Sequence, residues 1–398
     1  MKKESDNTQE RPFNGASTYG KLGIIPLMST KEIGAKVDAF LVDWRKERVE
    51  SGIVENTNDY SLDSFIVEAS TPRFGSGEGK GTIKQSVRGK DLYILVDVCN
   101  YSLTYTMAGF ENAMSPDDHY QDLKRVIAAA CGKAHRINVI MPYLYEGRQQ
   151  LRSGRESLDS AHVLQELTKL GVENIITFDA HEPRVMNSIP LAGFESMSPA
   201  YQFIKNILRK FDDLQLDNEH LMAISPDSGG MRRAIYLANV LGINMGMFYK
   251  RRDYTTVING QNPVIAHEFL GTDVDGKDII IIDDMISSGD KVIETAQLLK
   301  RKKARRIFIC ATFGIFTGGV GKFDTAYKNG VFDLLVTTNL VYQPDELRDR
   351  PYYVCCDMSK YLALIIDTLN HDASLSALLD PVDRIHKVVR KYQAGETI

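Results

Sequence analysis

No apolar run in this 398-residue chain approaches the length of a membrane span. The first residues, Met1 to Arg11, are polar and do not read as a secretory signal. Cysteine is scarce: Cys99, Cys131, Cys310, Cys355 and Cys356 are odd in number and show no CxxC spacing. That pattern argues against a disulfide framework and for reduced core thiols of a cytoplasmic protein, with Cys355-Cys356 as strand packing rather than a redox pair. A strong charge of one sign is also missing. With 48 Lys and Arg against 52 Asp and Glu, the net charge is −4, so nothing marks nucleic acid or a membrane surface as a partner of the whole protein. The glycine-rich segment Gly75–Thr82 lacks P-loop spacing, because Phe74 occupies the first glycine position, and it fails GxGxxG as well. Neither of those nucleotide-binding signatures is present.

What remains is the composition of a soluble globular protein, 43% hydrophobic and 25% charged, long enough for two domains of ordinary size. Residues 1–20 read as a loose polar arm and 51–61 as a loop. Leu22–Met28 reads as a first strand and Lys31–Arg48 as an amphipathic helix opened by Ser29 or Thr30. Strand candidates follow at Asp91–Val98, Arg136–Pro142, Asn174–Ala180, His220–Pro226, Asp278–Asp283, Arg306–Thr312 and Leu334–Thr337. Helix candidates lie between them at His119–Cys131, Ser160–Leu170, Ala200–Phe211, Gly230–Leu241 and Lys291–Lys302. This alternation predicts an α/β fold built on mainly parallel sheets. A faint repeat supports duplication: Val87–Val98 aligns with Val274–Met285 at twelve positions, of which Val, Gly, Lys, Asp, Ile and Asp are shared.

The most informative segment is Asp278–Lys291. Four isoleucines, Ile279 to Ile282, have the length and branching of a strand buried on both faces. They lead into Asp283-Asp284, then Ser287-Ser288-Gly289, then a helical stretch. A strand, a loop of small residues and a helix start form an anion site, because unpaired N–H groups point out of the loop. Two acids before it suit sugar hydroxyls or a Mg²⁺ near a phosphate; the plain alternative is an ordinary strand–helix loop with solvated acids. Tyr145–Arg155 carries Arg148, Arg152 and Arg155, which suit a polyphosphate or simply make a solvated basic loop. Phe178–Glu182 ends a strand with His181 between acids, where α/β ligand sites open, although a lone histidine is more often structural. Ser225–Gly230 places Asp227 and two glycines between strand and helix. Lys250-Arg251-Arg252 lies in a polar stretch continuing through Gly260 and reads by default as surface charge.

In their order along the chain these clusters resemble the ribose-phosphate pyrophosphokinase family, from about Leu22 to about Leu379. Arg73–Glu78 followed by Ser86–Gly89 is similar to the family segment that receives adenine from a neighbouring subunit. Arg148-Gln149 resembles a nucleotide contact. Asp179-Ala180-His181 resembles the segment whose histidine ligates Mg²⁺, and Ser225–Gly230 the one carrying the metal-linked aspartate. Lys250-Arg251-Arg252 matches the catalytic arm, and Asp283–Lys291 resembles the ribose 5-phosphate loop. The resemblance implies two tandem phosphoribosyltransferase-like domains, each a mainly parallel sheet flanked by helices. They would span 21–197 and 198–365, after the arm of 1–20 and before a helical tail, 366–398.

The implied activity transfers pyrophosphate from ATP to ribose 5-phosphate, with Mg²⁺ as cofactor. Lys250 and Arg252 would be catalytic, and Phe74, Ser76, Gly77, Glu78, Arg148 and Gln149 would bind ATP. Asp283, Asp284, Ser287, Ser288, Gly289, Asp290 and Lys291 would bind the sugar phosphate, and His181 and Asp227 the metal. A dimer-based homo-oligomer, commonly a hexamer, is implied as well. The chain departs from the pattern at Ser76 and Gln150, where the family has aspartates, and at Ser288, Asp290 and Lys291, where it has Thr, Gly and Thr. Asp290 beside a phosphate would be repulsive unless it points away, and Lys291 offers compensating charge. The departures at Ser76, Gln150 and Asp290 motivate a second reading, a non-catalytic regulatory homologue; a third, a phosphoribosyltransferase or a sensor of phosphoribosyl pyrophosphate, stands because the Asp283–Lys291 loop alone fits both.

Overall fold

The computed structural model describes residues 17–54, 59–252 and 264–398, with backbone alone at 250–252 and 264–267. It divides into two compact units, 1–197 with 357–380 and 198–356 with 381–398.

The first unit contains strands β1 (Lys21–Pro26), β2 (Ala69–Ser70), β3 (Thr82–Ile83), β4 (Lys90–Leu95), β5 (Thr104–Met107), β6 (Phe110–Ala113), β7 (Arg136–Ile140), β8 (Asn174–Phe178) and β9 (Gly193–Met197). Its main sheet is wholly parallel in the order β1-β4-β7-β8-β9, while β2 with β3 and β5 with β6 form short antiparallel ribbons. Helices α1 (Lys31–Glu50), α2 (Pro116–Ala129) and α3 (Asp159–Lys169) belong to this unit, as do α9 (Ser359–Asn370) and α10 (Ser376–Leu379) from far along the chain. Apolar strand residues such as Leu92, Ile94, Val139 and Ile175 pack with Leu123 and Leu164 into one core. Continuous β-branched runs give strands buried on both faces, which is why these strands were legible.

Four expectations change. Thr30 stands at the N-terminus of α1, but its hydroxyl donates to the carbonyls of Leu27 (3.2 Å) and Leu95 (2.9 Å) instead of accepting from the helix. The expected arm and loop, so far as they lie within the described residues, are pinned. Tyr19 N–H donates to Asn370 O at 2.7 Å, and Tyr60 is buried with its hydroxyl 2.9 Å from His371 Nε2. The tail assigned to 366–398 divides: 357–380 packs in the first unit and 381–398 in the second. The cause for the former is a buried ion network. Arg48 pairs with Asp367, and Arg45 Nη2 donates to Asn370 Oδ1 at 2.6 Å. Such charges cost several kcal/mol each to bury unless paired, so α1 and α9 are bound to each other's company.

The second unit contains β10 (Leu221–Ser225), β11 (Asn244–Arg252), β12 (Val264–Leu270), β13 (Asp278–Ile286), β14 (Ile307–Gly314), β15 (Leu334–Thr338) and β16 (Tyr353–Cys356). Its sheet runs β12-β11-β10-β13-β14-β15-β16, all parallel except β12. Helices α4 (Ala200–Lys210), α5 (Met231–Leu241), α6 (Asp290–Arg301), α7 (Gly321–Lys328), α8 (Asp345–Arg348) and α11 (Val382–Gln393) complete it. The four isoleucines of β13 are all buried, as the run predicts. Lys250-Arg251-Arg252, read by default as surface charge, forms the end of strand β11, paired backbone to backbone with β12; the rest of that polar stretch, to Gly260, lies outside the described residues.

The faint repeat is a repeat of structure. Gly89 N–H donates to Lys133 O (3.1 Å) and Gly276 N–H to Lys303 O (3.0 Å) at the corresponding turn. Lys90 and Lys277 close the same tight turn onto Val87 O and Val274 O, each at 3.1 Å. Asp91 and Asp278 then accept from Arg136 Nε (2.7 Å) and Arg306 Nε (3.0 Å) on the next strand. The copies part where β4 stops at Leu95 and β13 continues to Ile286.

Candidate functional site at the β10–β13 switch point

In the second unit β10 and β13 are neighbours in parallel register, Leu221 opposite Asp278 and Ile224 opposite Ile281. From β10 the chain passes through α5 to β11 on one side; from β13 it passes through α6 to β14 on the other. The crossovers diverge here, which opens a crevice beyond the carboxyl ends of the two strands, the place where open α/β sheets bind ligands. The first unit's order, β1-β4-β7-β8-β9, runs in one direction and has no such divergence among the described residues. Sheet topology therefore brings Asp227, just after β10, beside Asp283 and Asp284 near the end of β13.

The acids are deeply set. Asp283 and Asp284 are 2% and 5% exposed, in contrast with the solvated acids of an ordinary loop. Burial pushes the Asp283 carboxyl up to about 7; the neighbouring Asp284 charge adds to this and the Lys291 ammonium opposes it. Lys291 Nζ lies 2.6 Å from Asp283 Oδ2 and 2.9 Å from Asp227 Oδ2. Burial alone would lower the Lys291 ammonium, but the two carboxylates outweigh it and hold it above the usual lysine range. The same contact, with two backbone donors, keeps Asp227 below the usual carboxylate range despite its partial burial. Those donors are Gly229 and Gly230 N–H, at 2.9 and 3.1 Å from Asp227 Oδ1. Arg233 Nη2 faces Asp284 Oδ2 at 3.7 Å.

The loop that follows opens α6. Gly289 has φ 86°, and a Cβ there would sit 2.4 Å from the Phe323 ring, so the turn into the helix requires glycine. Amide groups in the first turn of α6 have no carbonyl acceptor within the helix, which suits a helix start to an anion. Ser287 and Ser288 flank them, with Ser287 Oγ 3.3 Å from Thr317 Oγ1. Asp290 turns from the loop to Lys322 Nζ (2.6 Å) and Ser288 Oγ (2.7 Å), which holds its carboxyl below the usual range. Sequence reasoning missed Lys322, Arg233 and Thr317; the run Thr317-Gly318-Gly319-Val320-Gly321-Lys322 after β14 was the available signal for two of them.

The first unit places its candidates separately. Phe74, Ser76, Gly77 and Glu78 form a turn closed by Phe74 N–H to Glu78 O and Gly77 N–H to Phe74 O, both 2.8 Å. Phe74 is 56% exposed, and Ser76 Oγ donates to Glu78 Oε2 at 2.9 Å. The β5–β6 ribbon seats on this turn through Ala108 N–H to Gly75 O (2.9 Å). Arg148 and Gln149 are exposed after β7, and Gln149 O is held by Ser160 Oγ at 3.0 Å. His181 is half-buried just past β8, after Asp179 at φ 42°. Among the described residues no group of three or more His, Cys, Asp or Glu side chains is arranged to hold a metal ion.

This architecture, a duplicated parallel α/β unit of which the second carries an acidic strand end and an anion-ready helix start, defines a pair of phosphoribosyltransferase-type domains. Residues 31–171 match the family model for the N-terminal domain of ribose phosphate pyrophosphokinase, and residues 196–331 match the phosphoribosyl transferase domain. The chain is 29% identical over 319 residues to a ribose-phosphate pyrophosphokinase of Vibrio parahaemolyticus, covering 79% of this chain and 91% of that one. It is 28% identical over 316 residues to the Buchnera aphidicola enzyme of that name, with the same coverage. A crystal structure of phosphoribosylpyrophosphate synthetase from Mycobacterium smegmatis shares the fold, with a TM-score of 0.67 at 21% identity over 89% of this chain and all of that one. The chain belongs to the ribose-phosphate pyrophosphokinase family.

Proposed function

We propose that this enzyme transfers the β,γ-diphosphoryl group of MgATP to the 1-hydroxyl of ribose 5-phosphate, giving 5-phosphoribosyl 1-pyrophosphate and AMP. The observation that carries this reading is the switch-point site itself: two buried aspartates immediately before a helix start lined with amides and hydroxyls. A sugar phosphate fits both halves, its hydroxyls toward Asp283 and Asp284 and its 5-phosphate toward Ser287, Ser288 and Gly289.

In the reaction the 1-oxygen forms a bond to the β-phosphorus, the bond from that phosphorus to the α,β-bridging oxygen breaks, and AMP departs with the bridging oxygen. The sugar hydroxyl gives up its proton. Catalysis of this kind depends on positioning and on neutralising charge. Lys250 and Arg252 take the second task for the triphosphate, by likeness to the family arm. Arg148 and Gln149 hold ATP, with Phe74, Ser76, Gly77 and Glu78 serving the adenine of a neighbouring subunit's ATP in a homo-oligomer. Mg²⁺ enters with ATP, and His181 is the side chain that would meet it. The described residues do not fit a cation held by protein alone: Asp227 Oδ1 accepts two backbone N–H groups and its Oδ2 accepts from Lys291.

The test is AMP release measured by chromatography with and without ribose 5-phosphate, in the parent and in Lys250→Ala. AMP forms only when the sugar is present, and Lys250→Ala lowers kcat by roughly 10²–10³ with an unchanged circular dichroism spectrum. Sugar-independent nucleotide breakdown, or near-parental turnover in Lys250→Ala, overturns the reading.

A further inference from the structure

We infer that Lys291 is a built-in counter-cation of the sugar-phosphate loop, standing between Asp227 and Asp283 where a divalent ion would otherwise be drawn. The inference rests on reading Asp283–Lys291 as that loop.

Lys291 is the second residue of α6, so its stem rises from the helix start across the ends of β10 and β13. Its ammonium contacts one oxygen of each acid, Asp227 Oδ2 at 2.9 Å and Asp283 Oδ2 at 2.6 Å. The remaining oxygens are occupied: Asp227 Oδ1 by Gly229 and Gly230 N–H, and Asp283 Oδ1 by Asp284 N–H at 3.0 Å. Asp283 Oδ2 is fully buried, and the Lys291 ammonium at 2.6 Å is its counter-charge. Two carboxylate oxygens that converge on one point, one of them fully buried, would repel each other strongly without a cation between them. Here that cation is covalently attached and cannot be chelated or washed away. The position is also one of the chain's departures, a lysine where the family loop it resembles has threonine. Asp227 is therefore a partner of Lys291, its Oδ1 accepting two backbone N–H groups and its Oδ2 facing the ammonium, and ribose 5-phosphate binds to this loop without divalent ions.

The full-length chain, free of nucleotide, is titrated with Mn²⁺ and free ion is read by electron paramagnetic resonance. The parent and Lys291→Arg bind the same amount of Mn²⁺, and Asp227→Asn in the parent background changes nothing. Lys291→Met, which keeps the stem and removes the charge, gains one further Mn²⁺ per chain with affinity at least about tenfold above that of the parent, and Lys291→Met with Asp227→Asn loses it. Lys291→Gln serves the same purpose if the methionine variant does not fold. Calorimetry with ribose 5-phosphate in EDTA and in Mg²⁺ gives one affinity for the parent, whereas Lys291→Met binds the sugar only when Mg²⁺ is present. Loss of a Mn²⁺ site in Asp227→Asn, or neutral Lys291 variants that bind no more Mn²⁺ than the parent, overturns the inference. The Mn²⁺ titration involves no sugar or nucleotide, so its failure leaves the proposed reaction standing; a parent that binds no ribose 5-phosphate in either buffer contradicts the reaction and leaves the Mn²⁺ result to be judged alone.

Discussion

Asp290 and Lys291 are adjacent in sequence yet serve different partners, Asp290 reaching Lys322 and Lys291 reaching Asp227 and Asp283. The acids and small residues of this loop were legible because strand, turn and helix start follow one another without interruption. The lysine's role was not, since Asp227 lies 64 residues away and meets it only through the β10–β13 register. Gly289 was readable as a turn residue, but the reason no other residue fits is the Phe323 ring, again distant in sequence. Gly289→Ala adds a Cβ where φ is 86° and the ring is in contact, a strain of about 1–3 kcal/mol. The expected result is a lower thermal midpoint and at least severalfold weaker ribose 5-phosphate binding by calorimetry. An alanine variant with parental stability and affinity would show that the loop does not depend on this backbone conformation.

Among the elements, β1, β4, β7, β8, β10, β13, β14 and β15 were each expected within a few residues, because buried parallel strands are continuous apolar runs. β9, β11 and β12 were not, since Gly193–Met197, Asn244–Arg252 and Val264–Leu270 mix polar and apolar residues and stand at or near sheet edges, where the pattern weakens; of β16 only Cys355-Cys356 was read as strand. Helix α9 was assigned elsewhere because nothing local says that Asp367 pairs with Arg48. This network makes the first unit sensitive to acid. Burial, with the Arg45 charge adding, outweighs the pull of Asp367 and lowers the His371 imidazole to about 4. The neutral ring accepts from Tyr60 and donates to Asp367 O at 2.7 Å. In the unfolded chain the same ring titrates near 6.5, so the unfolded state binds the extra proton first as pH falls. Stability is then full above about 6.5 and declines by about 3 kcal/mol toward pH 4 through this group alone. Denaturant titrations at a series of pH values should show that decline, and His371→Gln should flatten it. A slope unchanged by the substitution would place the acid sensitivity elsewhere.

At the scale of the whole molecule, one structural theme occurs twice and only the second copy carries the switch-point crevice among the described residues. The twelve-residue repeat carried this duplication in the sequence, because the turn and the buried aspartate at each strand start are kept by the same hydrogen bonds. The crevice was not readable from local pattern, since it depends on which strands are neighbours. No helix among the described residues is long and apolar enough to cross a membrane. The central claim is diphosphoryl transfer to a sugar, and ³¹P NMR of the full chain with MgATP and ribose 5-phosphate tests it most directly. The account predicts that the ATP resonances are replaced by AMP and by a pyrophosphate bonded to the sugar's first carbon, in equal amounts. ADP with a singly phosphorylated new product, or AMP accompanied only by free pyrophosphate, would contradict it.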